Sequence, residues 1–469
     1  MSPARAEVDN LPNLPALGAS ADAALPWSFE RRIGQDIMRQ IRQQEPSYLD
    51  DPEIEGYLNT LGGRLIAAAP DAGAGFHFFA LKDPSINAFA MFGGFIGVNT
   101  GLILNVENES ELAGVLAHEL SHVTQRHLAR GLEKQKQIST ASLLVMALAI
   151  LAANSNTNVA EAAMTAGTAG AVQAQLNYTR VFEREADRVG FQILVKAGFD
   201  GHAMASFFGR LQKASRTYEN NAPVYLRTHP LTVERIADMQ NRGQDLPYRQ
   251  VVDSQEFHLV RARLQAEQET PAEAVARFRK SLAEKRYANQ AAAHYGLAVA
   301  LERQGDWSGM EKSLVDARVA GAQSAMVERL FAEARLRQND ADEGLRRYRN
   351  AIARFPDVPA LTRGYAEALL QQGKREEGLR FLETHLRAGP DAHLYRIKAR
   401  FHASGGEIAQ HHYALGEAYA LEGALLAAIE QLELAQRSTG GNFYEQSAID
   451  ARLRQLKRQK VEETRLSLP

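Results

Sequence analysis

The sequence predicts a mostly α fold: an α+β part with a small sheet, followed by an α-solenoid of helical repeats. Three observations predict it. His118-Glu119-Leu120-Ser121-His122 is an HExxH stretch inside a run with helical apolar spacing. Upstream lie short aromatic-rich runs punctuated by Asp-Pro and Gly-Gly. From about residue 250 the chain reads as helix throughout, with landmarks repeating every 34 residues, as from Gly305 to Asn339 to Gly373. At 469 residues the chain exceeds one ordinary core. The expected division is a flexible arm over 1–26, an HExxH-bearing domain over 27–250 and a repeat domain over 251–469.

Composition narrows the function classes. A hydrophobic content of 45% and a charged content of 23% describe a globular protein. The formal net charge of −2 gives no electrostatic footprint for nucleic acid. The chain has no cysteine, which excludes disulfides, thiolate zinc sites and a cysteine nucleophile. No run reaches the roughly 18 consecutive apolar residues of a membrane-spanning helix, Ala141 to Ala153 being the nearest. No signal peptide opens the chain; the polar, Ala- and Pro-rich arm to Pro26 is of the kind that follows a removed signal or forms a disordered terminus.

The elements follow in order. Ile33, Ile37 and Ile41 make one stripe of a helix over Arg31 to Arg42, and a second helix is expected from Pro52 to Ala69. Phe76 to Leu81 reads as a strand. Asn87 to Met91 reads as a second extended run, and Gly93-Gly94 turns it into a partner strand over Phe95 to Asn99. Two readings of this hairpin stand side by side: a plain surface hairpin, or an edge beside the HExxH helix that pairs with an extended peptide through Asn87, Ala88 and Phe89. Asn108 caps the HExxH helix, with Glu111 three residues on, and that helix is expected to reach about Lys136. Residues 138–172, rich in Ala, Leu, Thr and Gly, read as a buried helical hairpin or as a lid or membrane-surface element. In the last part, Pro356 and Pro390 repeat the 34-residue period, and Tyr295-Gly296-Leu297 and Tyr365-Ala366-Glu367-Ala368 recur as helix cores. This is the tetratricopeptide pattern, whose stacked units present a concave protein-binding surface.

The chemistry starts from helix geometry. His118 and His122 are four apart, so they share a face and can offer two imidazoles to one zinc ion per chain, with Glu119 placed as general base. A catalytic zinc needs a third protein ligand. Glu183-Arg184-Glu185-Ala186-Asp187 supplies one: Glu183 and Asp187 share a face, and Glu185 points elsewhere. Glu183 is read as the third ligand and Asp187 as the carboxylate that orients a ligand histidine. Without the HExxH these acids would read as a solvated helix face. A metzincin would need Gly at 125 and His at 128; Gln125 and Leu128 exclude that class. His127 falls well round the helix from His118 and reads as a surface or capping residue. In the expected hydrolysis Glu119 takes the proton of the attacking water and passes it to the leaving amine.

Taken together, Asn87-Ala88-Phe89-Ala90, the HExxH, Glu183 to Asp187 and Thr228-His229-Pro230 resemble the gluzincin metalloprotease family of HtpX and the CAAX prenyl proteases. The repeat array and the lack of a spanning segment resemble its periplasmic members. That resemblance implies a zinc endopeptidase of the periplasm associated with the outer membrane. It implies a part in assembling outer-membrane β-barrel proteins and degrading stalled or misassembled ones, with the repeats meeting the barrel-assembly machinery or unfolded substrates. It also implies that His229 can take the fourth zinc position and keep the protease latent. Arg235, six residues on, either stabilises the oxyanion or pairs with an acid structurally. The alternative function is a repeat-based chaperone or adaptor whose protease site is mostly latent.

Overall fold

A computed structural model describes residues 25–69, 75–133, 180–217, 223–244, 246, 247, 250–438 and 443–466. Most of the arm over 1–26 and all of 138–172 therefore lie outside the described residues. The expected stripe of Ile33, Ile37 and Ile41 is buried on α1 (Trp27–Gln44). It packs with Phe79, Phe89, Phe92 and Phe95 on one side of a four-stranded sheet. Asp51 caps α2 (Pro52–Ala68), its carboxylate accepting from the Glu53 and Ile54 amides with Pro52 at the first turn.

The sheet comprises β1 (Tyr48–Leu49), β2 (His77–Leu81), β3 (Ala88–Ala90) and β4 (Phe95–Asn99) in the order β1-β2-β4-β3. β3 and β4 form the expected antiparallel hairpin, closed by a 3-10 turn over Phe92–Gly94. β4 also pairs in parallel with β2, from His77 opposite Phe95 to Leu81 opposite Asn99. β3 is thus an edge strand, and its flank packs against the HExxH helix.

After α3 (Thr100–Asn105) comes α4 (Glu109–Thr124), the HExxH helix. Asn108 caps it by accepting from the Glu111 amide at 3.0 Å, and the Glu111 carboxylate reaches back to the Glu107 amide at 2.7 Å. The helix is buried from Glu109 to Val123, so it is a core rather than a surface element. It does not continue to Lys136. It ends at Thr124, and a turn with Arg126 at φ 54° redirects the chain into α5 (His127–Glu133). Further on, α6 (Arg180–Lys196), α7 (His202–Thr217), α8 (Val224–Thr228) and α9 (Val233–Gln244) enclose α4. Gly190 of α6 lets the two site helices cross closely; a Cβ there would meet the His118 nitrogen at 3.0 Å.

Helices α10 (Gln255–Gln268), α11 (Pro271–Ala283), α12 (Gln290–Gln304), α13 (Trp307–Val319), α14 (Ala325–Arg337), α15 (Ala341–Arg354), α16 (Pro359–Gln371), α17 (Arg375–Ala388), α18 (Ala392–Ser404), α19 (Ile408–Leu421), α20 (Leu425–Arg437) and α21 (Phe443–Leu466) follow, each packing on its chain neighbours. The core is continuous from α4 (Leu112, Leu116) into these repeats (Phe257, Tyr295, Leu330), and each such buried side chain contributes about 1.5–3 kcal/mol. Ion pairs reinforce the junction: Arg263 meets Asp51 at 2.6 Å, and Arg329 meets Glu53 at 2.7 Å.

The 34-residue period has a backbone cause. Gly305, Asn339 and Gly373 end first helices of successive units with φ of 79°, 62° and 66°, a left-handed turn that Gly and Asn tolerate. A Cβ at Gly305 meets nothing within 4 Å, so Gly305→Ala isolates the backbone cost. The expected loss is about 1 kcal/mol, read as a lower urea midpoint at unchanged slope.

Candidate metal centre

Three segments bring the site together. α4 presents His118, Glu119 and His122; α6 presents Glu183 and Asp187; the end of α8 delivers His229. All six are buried, at 2% exposure or less. One donor atom from each of His118, His122, Glu183 and His229 lies within 4.8 Å of the others. The two Nε2 atoms of His118 and His122 are 3.1 Å apart, and the Glu183 carboxylate sits 3.5 Å from each. His229 turns Nδ1 into the group, 3.1 Å from Glu183 and 3.4 Å from His118. Its other nitrogen, Nε2, faces Glu119 Oε1 at 3.5 Å.

The surroundings are chemically consistent with a divalent cation. Three carboxylates (Glu119, Glu183 and Asp187) are buried here against one guanidinium, that of Arg235. With neutral imidazoles the negative excess is two charges, the charge of a zinc ion, and uncompensated buried charge is costly. The carboxylates show the same pull on protons. Burial lowers the His118 pKa, but hydrogen bonds to Asp187 and Glu183 outweigh it and carry the ring up to about 9. Burial raises Glu183, yet the surrounding histidines hold it well below the usual carboxylate range. Burial pushes His122 well down and Glu119 up. Both Glu119 oxygens are buried without a hydrogen-bond partner, leaving a carboxylate with its acceptor capacity unspent.

Asp187 lies 3.1 Å from Nδ1 of His118 and so behind that ring. Arg235 is held among acids. Its Nε and Nη2 grip Asp187 at 2.6 and 2.8 Å, and Nη1 meets Glu183 at 2.8 Å and the Pro230 carbonyl at 2.7 Å. The guanidinium thus meets two carboxylates and the loop after His229.

On the edge strand, the side chains of Asn87, Ala88 and Phe89 are all buried. Asn87 accepts from the Asn99 amide, Phe89 stands opposite Gly97, and Met91 donates to Phe95. By antiparallel alternation the main-chain groups of Ile86, Ala88 and Ala90 face away from β4. Ala90 lies close enough for its main chain to act on the Glu119 carboxylate. The Ile86 carbonyl accepts from the Tyr225 amide of α8 at 3.2 Å. For peptide pairing the outward residues are therefore Ala88 and Ala90, while Asn87 and Phe89 spend their main chain on β4.

Two site residues escaped the sequence reading. Tyr225 is fully buried and stacks on His229 at 4.7 Å; with Phe208, 6.0 Å from the His118 ring, it walls off the cluster. His127 is not a surface or capping residue: it is 1% exposed, with Nδ1 2.9 Å from Nδ1 of His122. It reaches that place because α4 stops at Thr124 and the left-handed Arg126 folds the chain back. Gln125-Arg126 contains no residue that signals such a turn, so the sequence carried no warning of it.

Comparison with known proteins agrees with this geometry. Residues 52–243 match peptidase family M48, and residues 255–309 and 335–401 match tetratricopeptide repeats. The chain is 34% identical over 456 residues to the beta-barrel assembly-enhancing protease of Escherichia coli (strain K12), covering 97% of this chain and 93% of that one. It is 33% identical over 451 residues to that of Yersinia pestis, covering 95% and 92%. A putative protease of the same name from Vibrio cholerae serotype O1 is 43% identical over 262 residues, which spans 56% of this chain and 54% of its own.

Proposed function

This chain belongs to the beta-barrel assembly-enhancing protease family, whose protease part is a peptidase family M48 metallopeptidase, and from that premise we propose a zinc-dependent endopeptidase of envelope quality control. It acts in the periplasm, promotes assembly of outer-membrane β-barrel proteins and degrades misassembled ones. Residues 27–250 form its protease domain and residues 251–469 its repeat domain, which docks unfolded substrates and the barrel-assembly machinery. Among the described residues no helix is long and apolar enough to cross a membrane. The observation that carries the reading is the buried convergence of His118, His122, Glu183 and His229 beside Glu119.

Each residue then has a task. His118, His122 and Glu183 would hold the zinc, with His229 able to occupy its fourth position in the resting chain. The chemistry a zinc ion would supply when bound there is to polarise a scissile carbonyl and to lower the pKa of a water to about 7. Glu119 accepts the proton of the attacking water and delivers it to the leaving nitrogen. Asp187 keeps the His118 proton on Nδ1, so that Nε2 offers its lone pair. Arg235 neutralises Asp187 and Glu183 and fixes the Pro230 carbonyl. The substrate lies extended along Ala88 and Ala90, adding a strand to the sheet edge.

One zinc per purified chain is expected by elemental analysis, with cleavage of an unfolded β-barrel polypeptide abolished by a chelator and restored by zinc. A chain that carries no metal, or one that cleaves equally well after chelation, overturns the assignment. The seating of His229 against both Glu183 and Glu119 favours a second reading for the resting protein, in which the repeats act as a chaperone or adaptor while proteolysis is latent.

A further inference from the structure

His122 needs a hydrogen-bond acceptor behind it, because its Nε2 faces the donor cluster and its proton must then sit on Nδ1. Behind His118 stands Asp187, with Oδ1 3.1 Å from Nδ1. α6 has a second carboxylate within reach of the site, Glu185, but two residues from Glu183 it lies on a different face. We propose that His127 bridges this gap: Glu185 and His127 form a relay that fixes the ring of His122 and strengthens it as a metal ligand.

The proton positions follow from the distances once His122 Nε2 is given to the metal. His122 Nδ1 and His127 Nδ1 are 2.9 Å apart, so one of the two donates. His122 keeps Nε2 for the cluster, 3.1 Å from the His118 Nε2, so it is the donor. His127 then accepts at Nδ1 and carries its own proton on Nε2, which donates to Glu185 Oε2 at 3.1 Å. The same carboxylate oxygen accepts from Arg130 at 2.9 Å. The His127 ring lies stacked on Phe182, with centroids 4.6 Å apart and planes 14° from parallel. The arrangement mirrors that behind His118, where Asp187 is gripped by Arg235. Each histidine of the HExxH thus has a carboxylate of α6 and an arginine behind it, directly for His118 and through His127 for His122.

The backbone is strained where this relay is made. Arg126 holds φ 54°, a left-handed conformation that costs a non-glycine residue about 1–2 kcal/mol. Its guanidinium pairs with Glu30 of α1, with Nε 3.0 Å from the carboxylate. A turn held in place this way brings His127 back onto His122; a helix continuing to Lys136 would have carried it away.

The inference rests on the metal-site reading above, and the test separates the two. Zinc affinity of the full chain is measured by competition with a chromophoric chelator, and the melting temperature of the metal-free chain is measured beside it. His127→Phe keeps a ring on Phe182 and removes both nitrogens. It is expected to weaken zinc about 10–100-fold, the usual effect of losing such a partner. Glu185→Gln is expected to weaken zinc several-fold at unchanged metal-free melting temperature, and to add nothing in the His127→Phe background, because the two act in series. Zinc affinity within about twofold of the wild type in both variants overturns the relay, and so does an additive double variant. If His127→Phe does not fold, Glu185→Gln alone decides, and unchanged affinity overturns the proposal. A wild-type chain that binds no zinc overturns the metal site itself.

Discussion

Glu119→Gln is expected to abolish peptide hydrolysis while leaving the fold and the metal in place. The substitution is nearly isosteric and changes only the ability to take up a proton. Glu119 is fully buried and neither carboxylate oxygen has a side-chain hydrogen-bond partner, and the contact that depends most on its charge, the 3.5 Å approach of His229 Nε2, is removed in the His229→Ala background. Removing a buried carboxylate relieves desolvation, and stability should hold or rise. General acid–base catalysis contributes roughly 10²–10⁴-fold, so kcat/KM should fall by about that factor at unchanged zinc content and melting temperature. The comparison is made in a His229→Ala background, so that closure by His229 does not mask the loss. Retained turnover in that background would mean that another group moves the proton, and the role assigned to Glu119 would be wrong.

The parts of this site that were legible in the sequence are those set by local geometry. A four-residue spacing on a helix places His118 beside His122 whatever surrounds them, and the same spacing on α6 turns Glu183 and Asp187 to one side. The repeat period was legible because its turns need left-handed backbone at Gly305, Asn339 and Gly373. The parallel pairing of β2 with β4 was not, since it joins segments separated by the β3 hairpin arm and leaves no mark in either strand. His127 was misplaced for a related reason. Extending α4 by periodicity swings it away from the site, and only the turn at Arg126, secured by Glu30 from the first helix, brings it back. Arg235 had two open readings, and its contacts with Asp187 and Pro230 come from the tertiary fold, which the sequence pattern does not display.

In the proposed resting state the segment Val224–Pro230 does more than fill one coordination position. His229 places one nitrogen among the ligands and the other opposite Glu119. Tyr225, one helical turn earlier, takes the Ile86 carbonyl, which belongs to the same outward row as Ala88 and Ala90. One movement of Val224–Pro230 would therefore open the metal, release the base and free the first acceptor of the edge strand. On the proposed mechanism, binding of an extended peptide and closure of this segment would compete for the same groups, which would make substrate itself a ligand of the open state.

His229→Ala is expected to raise basal proteolysis. The alanine chain keeps His118, His122 and Glu183, the three protein ligands usual for a catalytic zinc, so metal should be retained. What it loses is specific to the closed state: the imidazole between Glu183 and Glu119 and the stack on Tyr225. Minor states of two-state proteins are commonly populated at about 0.1–10%, and turnover by a latched enzyme is reduced by that fraction. Releasing the latch should therefore increase cleavage of an unfolded polypeptide by roughly ten- to a thousand-fold, at unchanged zinc content. The gain should vanish when Glu119→Gln is added, because opening the site does not replace its base. Activity unchanged from the wild type would show that His229 in this seat does not limit access, and that whatever holds the enzyme latent lies elsewhere.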